Sequence, residues 1–336
     1  MGKKVGNQTV VFGKDVKVLG KYSVVGEKEG KGNFSRYFDY VLKYDDFGEN
    51  TYEKAERKML ECAINQAIID AGLNEKDIDL MMCGDLLNQI ISSSFAARNF
   101  DISYLGMYGA CSTMAETMAV ASCFIDSGYF NNIVCATASH FSSAERQYRN
   151  PLELGNQRPH VSQWTVTGAG CTILGKNDEK NKIISSATFG KVTDFGIKDV
   201  NNMGAAMAPS AMSTIVAHFE DTKTNPDDYD LILTGDLGKL GSEILLDLME
   251  NKGYKLGLNY NDCGQMMFDS NQKTFQGGSG AGCSASVLNS YVYNKMDKGV
   301  YKKVLFVATG ALLSQISSQQ GESIPGISHA VEFQVV

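Results

Sequence analysis

The chain has 336 residues, of which 43% are hydrophobic, and a formal net charge of -7 at pH 7. This length and apolar content allow a substantial core, whereas the negative charge and the lack of Lys/Arg runs argue against nucleic acid as a partner. Eight cysteines lie scattered, mostly in apolar stretches and without zinc-site spacing. We therefore expect reduced thiols, no metal and no cofactor.

The sequence predicts neither a secretory signal nor a membrane span. The first four residues, Met-Gly-Lys-Lys, lead into polar residues rather than into an apolar core. The uncharged run from Val200 to Phe219 contains Asn201, Asn202 and Pro209, and it is too polar for a transmembrane helix. We expect cytoplasmic synthesis and, where the protein meets a membrane, a peripheral position.

In chain order, the first feature is the Gly- and charge-rich segment from Lys14 to Phe47, which favours irregular structure. Thr51 and Glu53 fit a helix cap, and the apolar spacing that follows predicts a helix that ends near Gly72. Asp79 to Gly84 is almost wholly apolar, which is typical of a parallel strand that is covered on both faces.

The next predicted helix begins beside a cysteine. Gly109-Ala110-Cys111-Ser112 precedes an apolar stretch of helical period, Thr113 to Ile125. A helix N-terminus offers free N–H groups and a partial positive charge, which lower the pKa of a thiol or hold an anion beside it. Cys111 is therefore a nucleophile, the wall of an anion pocket, or a small core residue.

A strand from Asn132 follows, and then a long segment, 139–168, which we interpret as an excursion over the surface or the pocket. It carries His140, His160 and the single Trp of the chain. The charged turn from Lys176 to Lys182 is the predicted boundary between two halves. We expect an N-terminal half, 1–178, with Cys111 and a C-terminal half, 179–336, in one compact unit.

The second half repeats the first. Its predicted elements are helices at 211–219, 242–252 and 286–296 and a strand at 230–235. Three pairs of segments match in the same order, namely 79–85 with 230–236, 109–112 with 281–284, and 132–138 with 303–310. Three ordered matches indicate an internal duplication, and the alternation of strands and helices predicts a layered α/β sandwich.

Ligands of open parallel sheets bind beyond the carboxyl ends of the strands. If the two halves pack with pseudo-two-fold symmetry, one crevice brings together the strand ends of both halves. The same crevice then receives the two cysteine-led helices and the Gly-rich loop before the last helix. The predicted site residues are Asp85, Cys111, His140, Asp236, Gly278, Ser279 and His329.

These residues also have simpler interpretations. Asp85 and Asp236 each follow a glycine and fit turn or helix-cap positions equally well. His140 fits a surface loop. The Gly-rich stretch 277–282 lacks the Lys of a Walker motif and does not follow a strand at Rossmann spacing, so it favours close backbone approach over nucleotide binding.

The duplication, the Cys111 segment and the Gly-rich loop resemble the thiolase and ketoacyl-synthase superfamily. The resemblance implies a thiolase-like, duplicated α/β/α/β/α sandwich in which a cysteine is acylated and second-half His or Asn residues act as base and oxyanion donor. Here the corresponding strand end carries Asp236, and no His lies between His218 and His329. Because condensation needs a base and an oxyanion site, we expect no catalysis, with Cys111 at the nucleophile-equivalent position.

Five segments resemble one branch of that superfamily, the stage V sporulation protein AD family of spore-forming bacteria. They are Gly-Asp-Leu-Leu-Asn-Gln at 84–89, Gly-Ala-Cys-Ser-Thr-Met at 109–114, Asn-Gln-Arg-Pro at 156–159, Phe-Gln-Gly-Gly-Ser-Gly at 275–280, and 317–327. This resemblance implies binding of dipicolinic acid (pyridine-2,6-dicarboxylate), free or as its calcium chelate, for uptake into the developing spore. It also implies co-encoded sporulation membrane proteins as partners, a peripheral position at the spore inner membrane and, from the thiolase scaffold, a homodimer.

Physical chemistry is compatible with that ligand, a small flat dianion. The helix N-terminus at Cys111 and the N–H groups near Gly278 are suited to its carboxylates. His140 or His329 is suited to donate a hydrogen bond or to stack on the ring. Asp85 repels the free dianion yet favours the calcium chelate.

Three functional hypotheses follow. The first is a non-catalytic binding protein on a thiolase scaffold. The second is an acyltransferase or ketoacyl-synthase-like enzyme that uses Cys111 with His140 or His329 as base. The third is a structural adaptor, and residues 317–327 fit either a lid or a partner surface.

Overall fold

The computed structural model describes residues 2–13, 16–148, 154–155, 157–177 and 179–336, so Asn156 and the predicted boundary residue Asp178 lie outside the described residues. The strands are β1 Lys3–Val5, β2 Thr9–Val11, β3 Lys17–Val25, β4 Tyr40–Val41, β5 Leu80–Gly84, β6 Tyr104–Gly106, β7 Asn132–Ser139, β8 Trp164–Thr165, β9 Gly168–Gly175, β10 Lys182–Thr188, β11 Leu231–Thr234, β12 Tyr260–Asp262, β13 Gly278–Ser279, β14 Lys303–Ala311 and β15 Gly326–Val335. The helices are α1 Tyr52–Asp70, α2 Ile91–Ala97, α3 Thr113–Asp126, α4 Phe141–Tyr148, α5 Met203–Thr222, α6 Gly238–Asn251, α7 Cys263–Met267, α8 Ala281–Val287, α9 Tyr293–Asp297 and α10 Gln315–Gln319.

The predicted duplication is visible in the order of the strands. The first half contributes β3-β9-β7-β5-β6 and the second half contributes β10-β15-β14-β11-β12, and the two sets meet where β3 pairs with β10. In each set the strand that ends at Gly-Asp, β5 or β11, is parallel to its neighbours. Equivalent strands therefore occupy equivalent positions in the two halves.

The halves stack into alternating layers of helices and strands. α1 covers β3, β7 and β9 from outside, and α5 covers β14 and β15. α3 lies between the halves, because it contacts β7 of the first and β15 of the second, and α8 packs beside it. This is the thiolase-like α/β/α/β/α sandwich that the sequence predicted.

Most of the predicted elements of the first half are confirmed. Thr51 caps α1, since its hydroxyl accepts a hydrogen bond from the amide of Lys54 at 3.3 Å. Gly72 ends that helix with φ +71°, the left-handed conformation expected there. The strand 80–84 and the helix after Cys111 lie where the apolar patterns placed them.

The prediction of irregular structure from Lys14 to Phe47 was wrong for one stretch, whereas most of residues 26–47 do lie in turns and bends. Lys17–Val25 forms a central, largely buried strand, β3. Its Gly20 lies directly under the end of α1, where a Cβ atom would come within 2.5 Å of the Ala67 carbonyl oxygen. The glycine that suggested a loop therefore permits the close approach of a helix to the strand.

Helices of the second half begin earlier than predicted. α5 starts at Met203 and contains Pro209 in its interior, although the sequence pattern placed its start beyond that proline. Extensive burial of both helix turns around Pro209 outweighs its missing N–H group. The helix expected at 286–296 begins at Ala281 and passes through a π-helical turn, Leu288–Val292. The segment 139–168, which we interpreted as an excursion, contains the helix α4 and the short strand β8.

Gly170→Ala tests the contact between the central helices and the first-half strands. A Cβ atom at Gly170 of β9 would lie 2.5 Å from the Ala285 carbonyl oxygen of α8, which is backbone that cannot rotate away. We expect a destabilisation of about 1–3 kcal/mol in urea unfolding. The matched control is Gly168→Ala on the same strand, where the nearest atom is 3.3 Å away. Equal unfolding midpoints for the two variants would contradict this packing.

Candidate functional site

A narrow pocket opens where the two halves meet, at the amino end of α3. Cys111 lies at its floor and is 6% exposed. Its cavity volume is only about 40 Å³, below the range of about 300–1,000 Å³ that is usual for small-molecule sites. Its lining is Leu86, Tyr108, Ala110, Cys111, Ala144, Tyr148 and Thr165 from the first half and Val200, Met203, Ser279, Ala311 and Leu313 from the second.

A tight turn holds Cys111 in place. Ala110 has φ +53°, a strained value for a residue with a side chain. The amide of Ser112 donates to the carbonyl of Gly109 at 3.0 Å, and the Thr113 hydroxyl donates to the carbonyl of Ala110 at 2.7 Å. Gly310 of β14 lies against this turn, because a Cβ atom there would be 2.3 Å from the Gly109 carbonyl oxygen. The second half therefore fixes the position of the cysteine.

The Asp236 carboxylate is the centre of the site. One of its oxygens accepts a hydrogen bond from the Thr309 hydroxyl at 2.7 Å. The other accepts from the Ser279 hydroxyl and the Gly280 amide, both at 2.9 Å, and the Cys111 thiol donates to the same carboxylate. Burial raises the pKa of Asp236, and these four donors oppose that increase.

The thiol of Cys111 is held neutral by its surroundings. Burial raises its pKa well above the usual range, and the neighbouring Asp236 carboxylate raises it further. A reactive cysteine has a depressed pKa or an adjacent base that is free to take its proton. Cys111 has the opposite environment, because its pKa is raised and the carboxylate beside it is already engaged in hydrogen bonds.

Three of the predicted site residues therefore come together, namely Cys111, Asp236 and Ser279. Gly278, on β13, is buried behind the pocket, and its carbonyl accepts from the Gln163 side chain at 2.9 Å. The Gly280 amide, which belongs to the loop expected to receive a ligand carboxylate, already donates to Asp236.

Asp85 occupies a turn position. Its carboxylate accepts from the amide of Leu87 at 2.8 Å and from the amide of Ser93 at 2.7 Å, and it is completely buried. The neighbouring residue, Leu86, lines the pocket instead. Asp85 thus shapes the wall of the pocket from behind.

His140 is buried rather than exposed in a loop, and both of its ring nitrogens are engaged. Nε2 donates to the Asp45 carbonyl at 2.9 Å, and Nδ1 accepts from the Ser142 amide at 3.1 Å. Burial lowers its pKa, which agrees with the neutral tautomer that these bonds require. His140 is not among the residues that line the pocket.

His329 lies on β15, where its Nδ1 accepts from the Gly190 amide at 3.2 Å. Burial lowers its pKa to about 4. None of the four histidines of the chain, all of which are among the described residues, lines the pocket. The cysteine therefore has no histidine beside it.

Several pocket residues escaped sequence reasoning. Tyr108 and Tyr148 face each other with their hydroxyls 3.4 Å apart, and Tyr148 also donates to the Leu86 carbonyl. Thr165 reaches the pocket because β8 pairs with β13, which places it opposite Ser279. The signal in the sequence was the proximity of Tyr108 to Cys111, whereas Tyr148 and Thr165 lie in the segment 139–168, for which an excursion over the pocket was one of two interpretations.

Comparison with known proteins identifies the family of this chain. The sequence profile of the Stage V sporulation protein AD family matches residues 6–334. Stage V sporulation protein AD of Bacillus subtilis (strain 168) is 43% identical over 332 residues, which cover 99% of this chain and 98% of that protein. Beta-ketoacyl-[acyl-carrier-protein] synthase III of Sulfurovum sp. (strain NBC37-1) is 38% identical over 149 residues, 40% of this chain and 39% of the synthase.

Solved structures share the fold at low identity. 3-Oxoacyl-[acyl-carrier-protein] synthase III from Aquifex aeolicus VF5 aligns with a TM-score of 0.57 and 13% identity over 95% of this chain and 99% of its own. A cerulenin complex of Xanthomonas campestris OleA aligns with a TM-score of 0.61 and 11% identity over 96% and 97%. The architecture is therefore that of a thiolase-like protein. Within that class, the chain belongs to the Stage V sporulation protein AD family.

Two further properties bear on ligands and membranes. Among the residues that the structure describes, every helix is too short or too polar to cross a bilayer. The same residues contain no cluster of three or more His, Cys, Asp or Glu side chains arranged to hold a metal ion.

Asp236→Asn tests the electrostatic control of Cys111. Loss of the negative charge lowers the pKa of the thiol, so we expect faster alkylation of Cys111 by iodoacetamide, about tenfold for each unit by which the pKa falls. The rate is measured by peptide mass spectrometry on protein whose folding is verified by circular dichroism. Asp262→Asn, a buried carboxyl that binds the amides of Leu237 and Gly238 instead, is the control and leaves the Cys111 rate unchanged. Identical alkylation rates in wild type and Asp236→Asn would show that Asp236 does not control the pKa of the Cys111 thiol.

Proposed function

We propose that this protein binds dipicolinic acid in the Cys111 pocket without chemical conversion, for uptake into the developing spore. The observation that carries the proposal is the Asp236 carboxylate beside Cys111. It stands where an acyl-transferring enzyme needs a base, yet it is engaged by four donors and raises the pKa of the thiol. Membership of the sporulation protein AD family supports a role in the spore rather than in acyl transfer.

The shape of the pocket supports a flat ligand. Tyr108 and Tyr148 supply aromatic surface on one side, and Leu86, Met203 and Leu313 add apolar contacts. Dipicolinate is a planar ring, and aromatic side chains pack favourably on such rings. The Thr165 hydroxyl lines the same space and is suited to donate to a ligand carboxylate.

The charge of the pocket bears on the form of the ligand. Its described lining contains neither Lys nor Arg, and the Asp236 carboxylate lies beneath the floor. A free dianion is repelled by that carboxylate, whereas calcium offsets the charge of the ligand in the chelate. Both forms remain part of the proposal, and the chelate meets less repulsion.

The cellular setting is likewise a proposal. We place the protein peripherally at the spore inner membrane, where co-encoded sporulation membrane proteins are its partners. A homodimer is supported by the sheet edge, because β6 ends the strand order with Leu105 at 40% exposure. An exposed edge strand pairs readily with a second copy of the same strand.

Thr165→Val tests the ligand site by removing one hydroxyl at constant shape. We expect binding of dipicolinate, with or without calcium, to weaken about tenfold in calorimetric titration, because a hydrogen bond to a charged group is lost. Thr193→Val is the matched control, since Thr193 lies outside the pocket lining. No heat and no thermal stabilisation of the wild type by either ligand form would refute dipicolinate binding.

The acyl-transfer alternative has one observation in its favour, the position of Cys111 at the pocket floor of a fold shared with condensing enzymes. The neutral thiol argues against it. After incubation with acetyl-coenzyme A, we expect intact-mass analysis to show unmodified protein for the wild type and equally for Cys111→Ala. A stable acetyl adduct on the wild type that is missing in Cys111→Ala would establish the enzyme instead.

A further inference from the structure

One buried side chain of the first half reaches into the second half beside the pocket. Gln163 directly precedes β8 and is 1% exposed. Its Nε2 donates to the Asp236 carbonyl at 2.5 Å and to the Gly278 carbonyl at 2.9 Å. A carbonyl oxygen only accepts hydrogen bonds, so the side-chain nitrogen, which carries two N–H groups, must face both partners. The amide therefore bridges two main-chain segments of the second half.

The bridged carbonyls belong to the segments that build the site. Asp236 follows β11, and Gly278 precedes Ser279 in β13. The Ser279 hydroxyl donates to the Asp236 carboxylate at 2.9 Å, and the Cys111 thiol donates to the same carboxylate. Gln163 itself is not among the residues that line the pocket. It joins the main chains of two segments whose side chains set the environment of Cys111.

The main chain around Gln163 is held without help from the side-chain amide. Arg158 donates to the Gln163 carbonyl, and its guanidinium lies 4.9 Å from the centre of the Trp164 ring. The Trp164 amide donates to the Gly277 carbonyl at 2.8 Å. Thr165, the next residue of β8, lines the pocket. Replacement of the Gln163 side chain therefore leaves the pairing of β8 in place.

The two carbonyls determine the orientation of the amide. Oε1 of Gln163 is buried, and no donor among the described residues bonds to it. An amide that leaves its own acceptor unpaired while both of its donors are used is oriented by the groups that accept from it. Without the amide, the carbonyls of Asp236 and Gly278 lose this donor in a buried place, which is unfavourable.

We propose that Gln163 is a positioning residue whose carboxamide fixes the separation of the Asp236 and Gly278 main chains and thereby keeps the Asp236 carboxylate on the Cys111 thiol. The effect on a ligand rests on the proposed function. When the amide is lost, the two segments relax apart and the carboxylate withdraws from the thiol. Cys111 then becomes more reactive, and the floor of the pocket changes shape.

Gln163→Met tests this role at nearly constant volume, because methionine fills a similar space but has no donor. Alkylation by iodoacetamide, followed by peptide mass spectrometry, gives the rates of Cys111 and of Cys83. Cys83 is a buried cysteine of β5 and reports general loosening of the fold. We expect Cys111 to react about tenfold faster than in wild type, because the carboxylate no longer raises the pKa of the thiol. The Cys83 rate should stay unchanged.

The matched control is Gln276→Met. The Gln276 side chain also ties this segment to the second half, since its Nε2 donates to the His160 carbonyl at 2.9 Å and its Oε1 accepts from the Leu240 amide at 3.0 Å. Its described bonds involve neither Asp236 nor Gly278, so we expect wild-type rates for both cysteines.

A conservative variant adds a second measure. Gln163→Asn keeps the carboxamide on a side chain that is one methylene shorter, so it retains one of the two bonds. We expect a Cys111 rate between those of wild type and Gln163→Met. This variant also decides the question if Gln163→Met does not fold, because a wild-type rate in Gln163→Asn would then count against the role.

A double-mutant cycle separates positioning from a merely structural effect. If Gln163 acts through Asp236, the addition of Gln163→Met to Asp236→Asn leaves the Cys111 rate unchanged, since the charge is already absent. The inference is overturned if the two substitutions multiply their effects on that rate. It is equally overturned if Cys111 and Cys83 accelerate together in Gln163→Met, or if Gln163→Met reacts like the wild type.

Calorimetric titration with dipicolinate extends the test to the ligand. Where the wild type binds, we expect about tenfold weaker binding by Gln163→Met and unchanged binding by Gln276→Met. Equal affinities of Gln163→Met and wild type would overturn the role of Gln163 in the ligand pocket. Absence of binding by the wild type defeats the proposed function, whereas the alkylation rates still decide whether Gln163 positions Asp236.

Discussion

The site depends on one buried carboxylate, that of Asp236. It collects donors from β14, from the loop that leads into α8, and from Cys111 at the head of α3, so that it joins the two halves around one charge. A buried carboxylate is costly unless such donors surround it. The same interaction therefore organises the crevice and keeps the cysteine neutral.

Much of the fold was predictable from local patterns. Some features depend only on interactions within a single helix or strand, namely the apolar run at 79–84, the cap at Thr51 and the repeated Gly-Asp strand ends. These features correctly indicated a duplicated layered sandwich. β3 was missed because the role of Gly20 depends on a helix that is distant in sequence. α5 was shortened because burial around Pro209 is a property of the whole core.

The sequence predicted which strand ends lie at the site, but it did not predict the direction in which their side chains point. Cys111, Asp236 and Ser279 converge as expected, since the duplication places their loops at one crevice. Asp85 and His140 also follow strands, yet their side chains turn inward to backbone partners. Sequence spacing does not determine that choice. Tyr148 and Thr165 enter the pocket through long-range packing of α4 and β8, which no local pattern reports.

The position of β15 in the sheet has a consequence for biosynthesis. β15 lies between β10 and β14, although it follows every other described strand in the sequence. During vectorial synthesis the first-half strands are all available before the second-half sheet is able to close. The pocket draws Ala311 and Leu313 from the segment that precedes β15, so it forms late. A small molecule that binds only the completed pocket would therefore stabilise the finished protein rather than a nascent chain.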